Sequence, residues 1–150
     1  LRRRLAPSGA ASGELPARIV ALDLLEFEPV DGVHFIQGDF RDEAVLAQLI
    51  AQLAGRRADV VLSDMAPNLS GIASADAART THLVELAVDF ALQHLRPGGT
   101  LVCKVFHGSG YSQLVKLFKD NFRIVKPVKP RASRDRSAET FLVGIDPKRE

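Results

Sequence analysis

Apolar residues along this chain gather into short, β-branched runs that end on polar residues, separated by stretches with helical spacing. Arg18 to Leu22 (RIVAL) runs into Asp23, and Val33 to Gln37 (VHFIQ) runs into Gly38 and Asp39. Both patterns predict short buried strands. Asp42 is then placed to cap a helix whose apolar face is Val45, Leu46, Leu49, Ile50 and Leu53, with Gly55 as its stop. A strand over Asp59 to Ser63 follows, built on Val60, Val61 and Leu62, and it delivers Asp64 to a loop that breaks at Pro67. Residues 69 to 80 are small and polar and predict a flexible loop. From about Thr80 to Leu95, Leu83, Ala87, Phe90 and Ala91 recur at helical spacing beside Val84, Val88, Leu92 and Leu95. Pro97-Gly98-Gly99 ends that helix and turns into a strand over Thr100 to Phe106. A shorter helix over Ser112 to Asn121, a strand over Arg123 to Val125, a basic loop and a strand over Thr140 to Ile145 complete the pattern.

Strands that alternate with helices, and are apolar throughout, predict an α/β fold with a mainly parallel sheet covered by helices on both faces. The last two strands have no helical pattern between them, which predicts an antiparallel pair at one edge. The layout is Rossmann-like. Residues 6 to 17 are rich in Pro, Ser, Gly and Ala and read as a loop, so nothing before Arg18 can serve as a first strand with a glycine-rich turn. The expected organisation is one incomplete domain over 1–150, with its core over 18–150.

Composition narrows the class. A length of 150 residues is one domain's worth, and 46% hydrophobic residues suffice for a core. No apolar stretch approaches the ~20 residues of a membrane helix, and no signal-peptide pattern is present. One cysteine, Cys103, excludes an internal disulfide framework and a cysteine-based metal site, and fits a reducing cytoplasm. Its place inside an apolar strand makes it a small buried hydrophobe. The net charge of +2 conceals a segment, residues 116 to 136, with eight basic and two acidic residues, hence +6 there and −4 elsewhere. Such a segment suits a polyanion contacted from one side, or simply a solvated basic surface.

Three carboxylates follow strands: Asp23, Asp39 and Asp64. An acidic residue ending the second strand of a Rossmann-like half takes the ribose hydroxyls of a nucleotide, which suits Asp23, and Leu24 and Leu25 offer an apolar face for an adenine ring. Asp39 can accept from an adenine amino group while the Phe40 backbone amide reaches a ring nitrogen. Taken singly, Asp23 and Asp39 are equally good turn or N-cap residues. His34, His82, His94 and His107 lack metal-ligand spacing, Gly108-Ser109-Gly110 lacks the lysine of a P-loop, and no Gly-x-Ser-x-Gly elbow exists. Lys104 stands inside Leu101-Val102-Cys103-Lys104-Val105-Phe106, where a lysine needs a partner or a route to solvent. Asp64 ends one strand and Glu139 precedes another, so an Asp–Lys–Glu cluster is expected, either as a catalytic set or as a structural ion pair.

Taken together, Ser63-Asp64-Met65-Ala66-Pro67-Asn68, Pro97-Gly98-Gly99 followed by Lys104-Val105-Phe106, and Ser133-Arg134-x-x-Ser137-x-Glu139 resemble the FtsJ/RrmJ (RlmE) family. These are S-adenosylmethionine-dependent ribosomal RNA 2'-O-methyltransferases. Asp23-Leu24-Leu25 and Gln37-Gly38-Asp39-Phe40-Arg41-Asp42 extend the resemblance from about Arg18 to the C-terminus. It implies a family Lys-Asp-Lys-Glu tetrad with Asp64, Lys104 and Glu139 as its last three members. The first lysine and the glycine-rich cofactor motif would lie upstream of Leu1, with Leu1 to Leu5 as the tail of the helix that follows. Asp23, Leu24, Asp39, Phe40 and Asp64 would hold S-adenosylmethionine; Lys126, Lys129, Arg131, Arg134 and Arg136 would contact RNA phosphates. Lys104 would act either as the general base or as a charge that orients the nucleophile. The implied activity is methylation of a uridine ribose in 23S ribosomal RNA, within the large subunit, by a cytoplasmic, metal-free monomer. Transfer RNA as substrate, or a non-catalytic RNA-binding module, are the alternatives.

Overall fold

The first two apolar runs pair with each other. In the computed structural model, which describes residues 18–67, 70–129 and 139–149, the chain divides into two units, Leu1–Arg56 and Arg57–Glu150. In the first, β1 (Ile19–Asp23) and β2 (Val33–Gln37) lie parallel, in register from Ile19 opposite Val33 to Asp23 opposite Gln37. Helix α1 (Glu43–Leu53) follows, and the Asp42 carboxylate caps it by accepting the Ala44 N–H at 2.8 Å. The left-handed turn that stops α1 begins at Ala54 (φ 52°) and continues through Gly55 (φ 76°). Gly38 joins β2 to the lead-in of α1; a Cβ there would lie 2.6 Å from Val45, so only glycine lets the helix close on the strand end.

The second unit holds β3 (Ala58–Ser63), α2 (Ala73–His94), β4 (Leu95–Phe106), α3 (Tyr111–Asn121), β5 (Phe122–Val128) and β6 (Glu139–Pro147). Its sheet has the order β3-β4-β6-β5. β3 and β4 are parallel, and β6 runs antiparallel to both of its neighbours. The antiparallel pairing of the last two strands is present, with β6 inserted beside β4 and β5 placed outside it.

Two elements differ most from the sequence pattern, and the strand expected over Arg123 to Val125 extends over Phe122–Val128. The helix expected from Thr80 begins at Ala73, so the flexible loop expected over 69 to 80 is helical from residue 73 onward. Ala73, Ala75, Ala77 and Ala78 are strong helix formers despite their small size. The Asp76 carboxylate also ties down the approach by accepting the Ser70 N–H and Oγ–H, both at 2.8 Å, and the Gly71 N–H at 3.2 Å. β4, expected from Thr100, starts at Leu95 directly after the helix. Ala58 pairs with Leu95 and Val60 with Thr100, so Arg96 to Gly99 bulge out of the ladder rather than form a turn before the strand.

Strand alternation explains the core. Leu101, Cys103 and Val105 of β4 and Leu142 of β6 are buried against Val84, Ala87, Val88 and Ala91 of α2 and Leu114 and Phe118 of α3. Burying each of the larger side chains contributes about 1.5–3 kcal/mol. Gly144 makes room for the aromatic end of this core, because a Cβ there would lie 2.7 Å from the Phe122 ring. Cys103 is fully buried, and burial pushes its thiol up to about 12 against a weaker opposing hydrogen bond from Ser63.

Candidate active site

The alternation that buries Leu101, Cys103 and Val105 sends Thr100, Val102, Lys104 and Phe106 to the opposite face of β4. Lys104 is therefore not a charge lost in the core. Its side chain is only 18% exposed, yet its Nζ lies 2.5 Å from Asp64 Oδ1 and 3.9 Å from Glu139 Oε1. The register explains the convergence. Ser63, the last residue of β3, pairs with Cys103, which puts Asp64 alongside Lys104; Glu139, the first residue of β6, pairs with Phe106. Three adjacent strands thus bring one group each to the carboxyl ends of β3 and β4, where open α/β sheets bind ligands. Asp64 is 72% and Glu139 43% exposed, so the carboxylates face solvent around a largely shielded ammonium. The Phe106 ring centroid lies 6.0 Å from Nζ.

The other four expected cofactor residues lie in the first unit. Asp23 ends β1 with its side chain exposed, and its Oδ1 accepts the Leu25 N–H at 3.1 Å. Leu24 and Leu25 beside it are 60% and 74% exposed, an apolar surface left in water next to a carboxylate. Asp39 follows β2 and is held by Arg41: its Oδ1 accepts the Arg41 backbone N–H at 2.8 Å, and the guanidinium donates to both carboxylate oxygens, at 2.7 Å from Nη2 to Oδ2. That contact with the Arg41 side chain holds the Asp39 carboxyl down at about 2. Phe40 lies between them in the turn that leads to Asp42. Two acceptor carboxylates at the ends of neighbouring parallel strands, with exposed leucines, fit the hydroxyls, amino group and ring of an adenosine.

Of the expected RNA contacts, Lys126 is exposed on β5 and Lys129 follows that strand. Arg131, Arg134 and Arg136 lie outside the described residues, as do Ser133, Ser137 and Asn68. Two other cations of the basic segment are engaged within their own unit: Lys116 with Asp120 at 2.8 Å and Arg123 with Asp146 at 3.1 Å. Among the described residues no group of three His, Cys, Asp or Glu side chains is arranged to hold a metal ion, and no helix is long and apolar enough to cross a membrane. Sequence spacing leaves His107 isolated, but its ring stacks on Tyr111 with centroids 4.4 Å apart, just past the end of β4. The only signal for this in the sequence is the pair of glycines between them.

A family model for FtsJ-like methyltransferases matches residues 4–146. The chain is 70% identical over 150 residues to the ribosomal RNA large subunit methyltransferase E of Methylibium petroleiphilum, covering 97% of this chain and 67% of that protein. The protein of the same name from an Acidovorax species (strain JS42) is 65% identical, covering 100% of this chain and 68% of that one. The chain spans about two thirds of the length of the curated relatives it matches. Among solved structures, a Plasmodium falciparum protein assigned as a ribosomal RNA methyltransferase superposes with a TM-score of 0.75 at 26% identity, covering 88% of this chain and 73% of that one. With the α/β layout and its strand-end carboxylates, the match over 4–146 decides the assignment: the chain belongs to the FtsJ-like methyltransferase family.

Proposed function

We propose that the full-length protein carrying this chain transfers a methyl group from S-adenosylmethionine to the 2'-hydroxyl of a uridine ribose in 23S ribosomal RNA of the large subunit. The meeting of Asp64, Lys104 and Glu139 from three strand ends carries this reading. As a device for stability the cluster would be weak, because both carboxylates are exposed and ion pairs with solvent-exposed partners contribute only about 0–1 kcal/mol. As a device for positioning it is well built, since a strand lysine is fixed by two carboxylates. The names of the relatives supply the ribosomal RNA; the choice of uridine and of the 2'-oxygen is our own inference.

Bound S-adenosylmethionine supplies an electrophilic methyl group on a sulfonium. Asp23 accepts from the cofactor ribose hydroxyls, Leu24 packs on its adenine, Asp39 accepts from the adenine amino group, and the Phe40 backbone amide donates to a ring nitrogen. For Asp39 to do this, the adenine amino group takes the place of, or shares with, one of the N–H groups that Arg41 directs at both Asp39 oxygens, because those contacts already occupy the carboxylate's acceptor positions. Lys104 meets the substrate hydroxyl, with Asp64 and Glu139 setting its direction. As a neutral amine its Nζ would take the hydroxyl proton while the 2'-oxygen attacks in line, and the two carboxylates would hold the ammonium so formed; as an ammonium it would only orient the oxygen. Lys126, Lys129, Arg131, Arg134 and Arg136 hold phosphates and so seat the ribose.

Alkaline hydrolysis tests the site of transfer, because cleavage of an RNA linkage by alkali requires a free 2'-hydroxyl. Large-subunit ribosomal RNA, free and assembled into subunits, is treated with the full-length protein and labelled S-adenosylmethionine, with transfer RNA in parallel. The expected product is ribosomal RNA with its label at a uridine whose 3' linkage resists alkali. Label on a base, with every linkage still cleavable, or label in transfer RNA alone, contradicts the reading.

A further inference from the structure

The basic segment has no exposed ring with which to hold a base. Its two aromatic residues, Phe118 and Phe122, are fully buried in the core of the second unit. Phosphate contacts alone orient a backbone but do not fix one nucleotide, and proteins that position single-stranded RNA usually stack bases on aromatic side chains. A platform must then come from elsewhere on the site.

One stands at the end of β4. The strand finishes at Phe106, which pairs with Glu139 and shares a face with Lys104. His107 follows and opens a tight turn through Gly108 (φ 121°) and Gly110 (φ 87°), closed by the Tyr111 N–H donating to the Gly108 carbonyl at 3.2 Å. Positive φ at both glycines reverses the chain and brings Tyr111, the first residue of α3, against His107. The two rings lie 4.4 Å apart, tilted by 38°. Tyr111 packs on the hydrophobic core, whereas His107 is exposed. The inner ring is thus anchored and the outer ring presents a surface to solvent. Space beside it is open: a Cβ at Gly108 would meet nothing within 4 Å. His107 is the first residue past β4, at the same strand end where Asp64, Lys104 and Glu139 converge, so that a ribose at Lys104 and a base on the His107 ring would belong to one nucleotide or to neighbours.

We infer that His107, braced by Tyr111, is a stacking platform for a nucleobase of the RNA substrate next to the methylated ribose. The inference rests on the RNA 2'-O-methylation proposed above. It assigns the aromatic contact to the β4–α3 turn and leaves phosphate contact to the basic segment. A ring packed only for stability would be covered by its neighbours, and His107 is not.

The test is steady-state methyl transfer by the full-length protein on large-subunit ribosomal RNA. His107→Ala is expected to raise the KM for RNA about tenfold, the scale of one lost base stack, with cofactor affinity and melting temperature at wild-type values. His107→Phe is expected to restore the KM to within a few-fold of wild type. A His107→Ala protein whose KM for RNA stays within twofold of wild type overturns the platform. So does a His107→Phe protein as impaired as His107→Ala, because a polar or charged contact would then be responsible. Failure of wild-type protein to methylate the RNA would appear before any variant is made, and would overturn the function beneath the platform instead.

Discussion

Lys104 carries more information in the sequence than any other single residue of this chain. A cation among Val102, Cys103, Val105 and Phe106 demands a partner, and the strand-end motifs around Asp64 and Glu139 offer two. That much follows from residue order alone. The 2.5 Å approach of Nζ to Asp64 does not, because it depends on pairing Ser63 with Cys103, a register that no local pattern specifies. Asp39 shows the reverse. Its place after a strand is legible, whereas its engagement with Arg41, two residues on, emerges only once the turn at Phe40 has formed. Arg41 lowers the Asp39 carboxyl from an ordinary 3.8 to about 2. The stabilisation from this pair is accordingly present above about pH 4 and lost as pH falls through about 2. Arg41→Ala should move the Asp39 carboxyl titration, followed by carbon-detected NMR, upward toward the ordinary value. A titration unchanged by the substitution would show that Arg41 is not the cause.

At the scale of elements, apolar runs locate the strands because buried parallel strands are apolar on both faces. The first two turns of α2 leave no such mark because they carry no apolar stripe; alanine propensity and the Asp76 clasp form them instead. The Pro97-Gly98-Gly99 stretch reads as a turn because these residues do punctuate structure, yet pairing resumes on both sides of it and makes it a bulge. Gly144 is silent in the same way: nothing in its own strand says that two phenylalanines press on it. Since a Cβ there would lie 2.7 Å from Phe122 and 3.0 Å from Phe118, Gly144→Ala should destabilise the second unit by about 1–3 kcal/mol, the usual cost of overpacking. Denaturant unfolding checks this, and a midpoint equal to wild type would mean that the aromatic pair yields without strain.

For the whole molecule, each unit carries its own group of strand-end polar residues. The first holds two strand-end carboxylates beside exposed leucines, and the second holds the Asp64–Lys104–Glu139 cluster beside an aromatic turn. The α/β class and the order of most elements are legible from the alternation of strand and helix. The insertion of β6 between β4 and β5 is not, because a strand with two antiparallel partners leaves the same local signal as a strand with one. Family membership gives methyl transfer as the chemistry, and the proposed function assigns it to the cluster. The most direct test is single-turnover methyl transfer by full-length Lys104→Ala protein, with S-adenosylmethionine affinity measured by calorimetry on the same sample. The role proposed for Lys104, as base or as orienting charge, predicts a rate lower by about 100-fold or more, with cofactor affinity within a few-fold of wild type. A Lys104→Ala protein that transfers methyl at the wild-type rate would contradict the account.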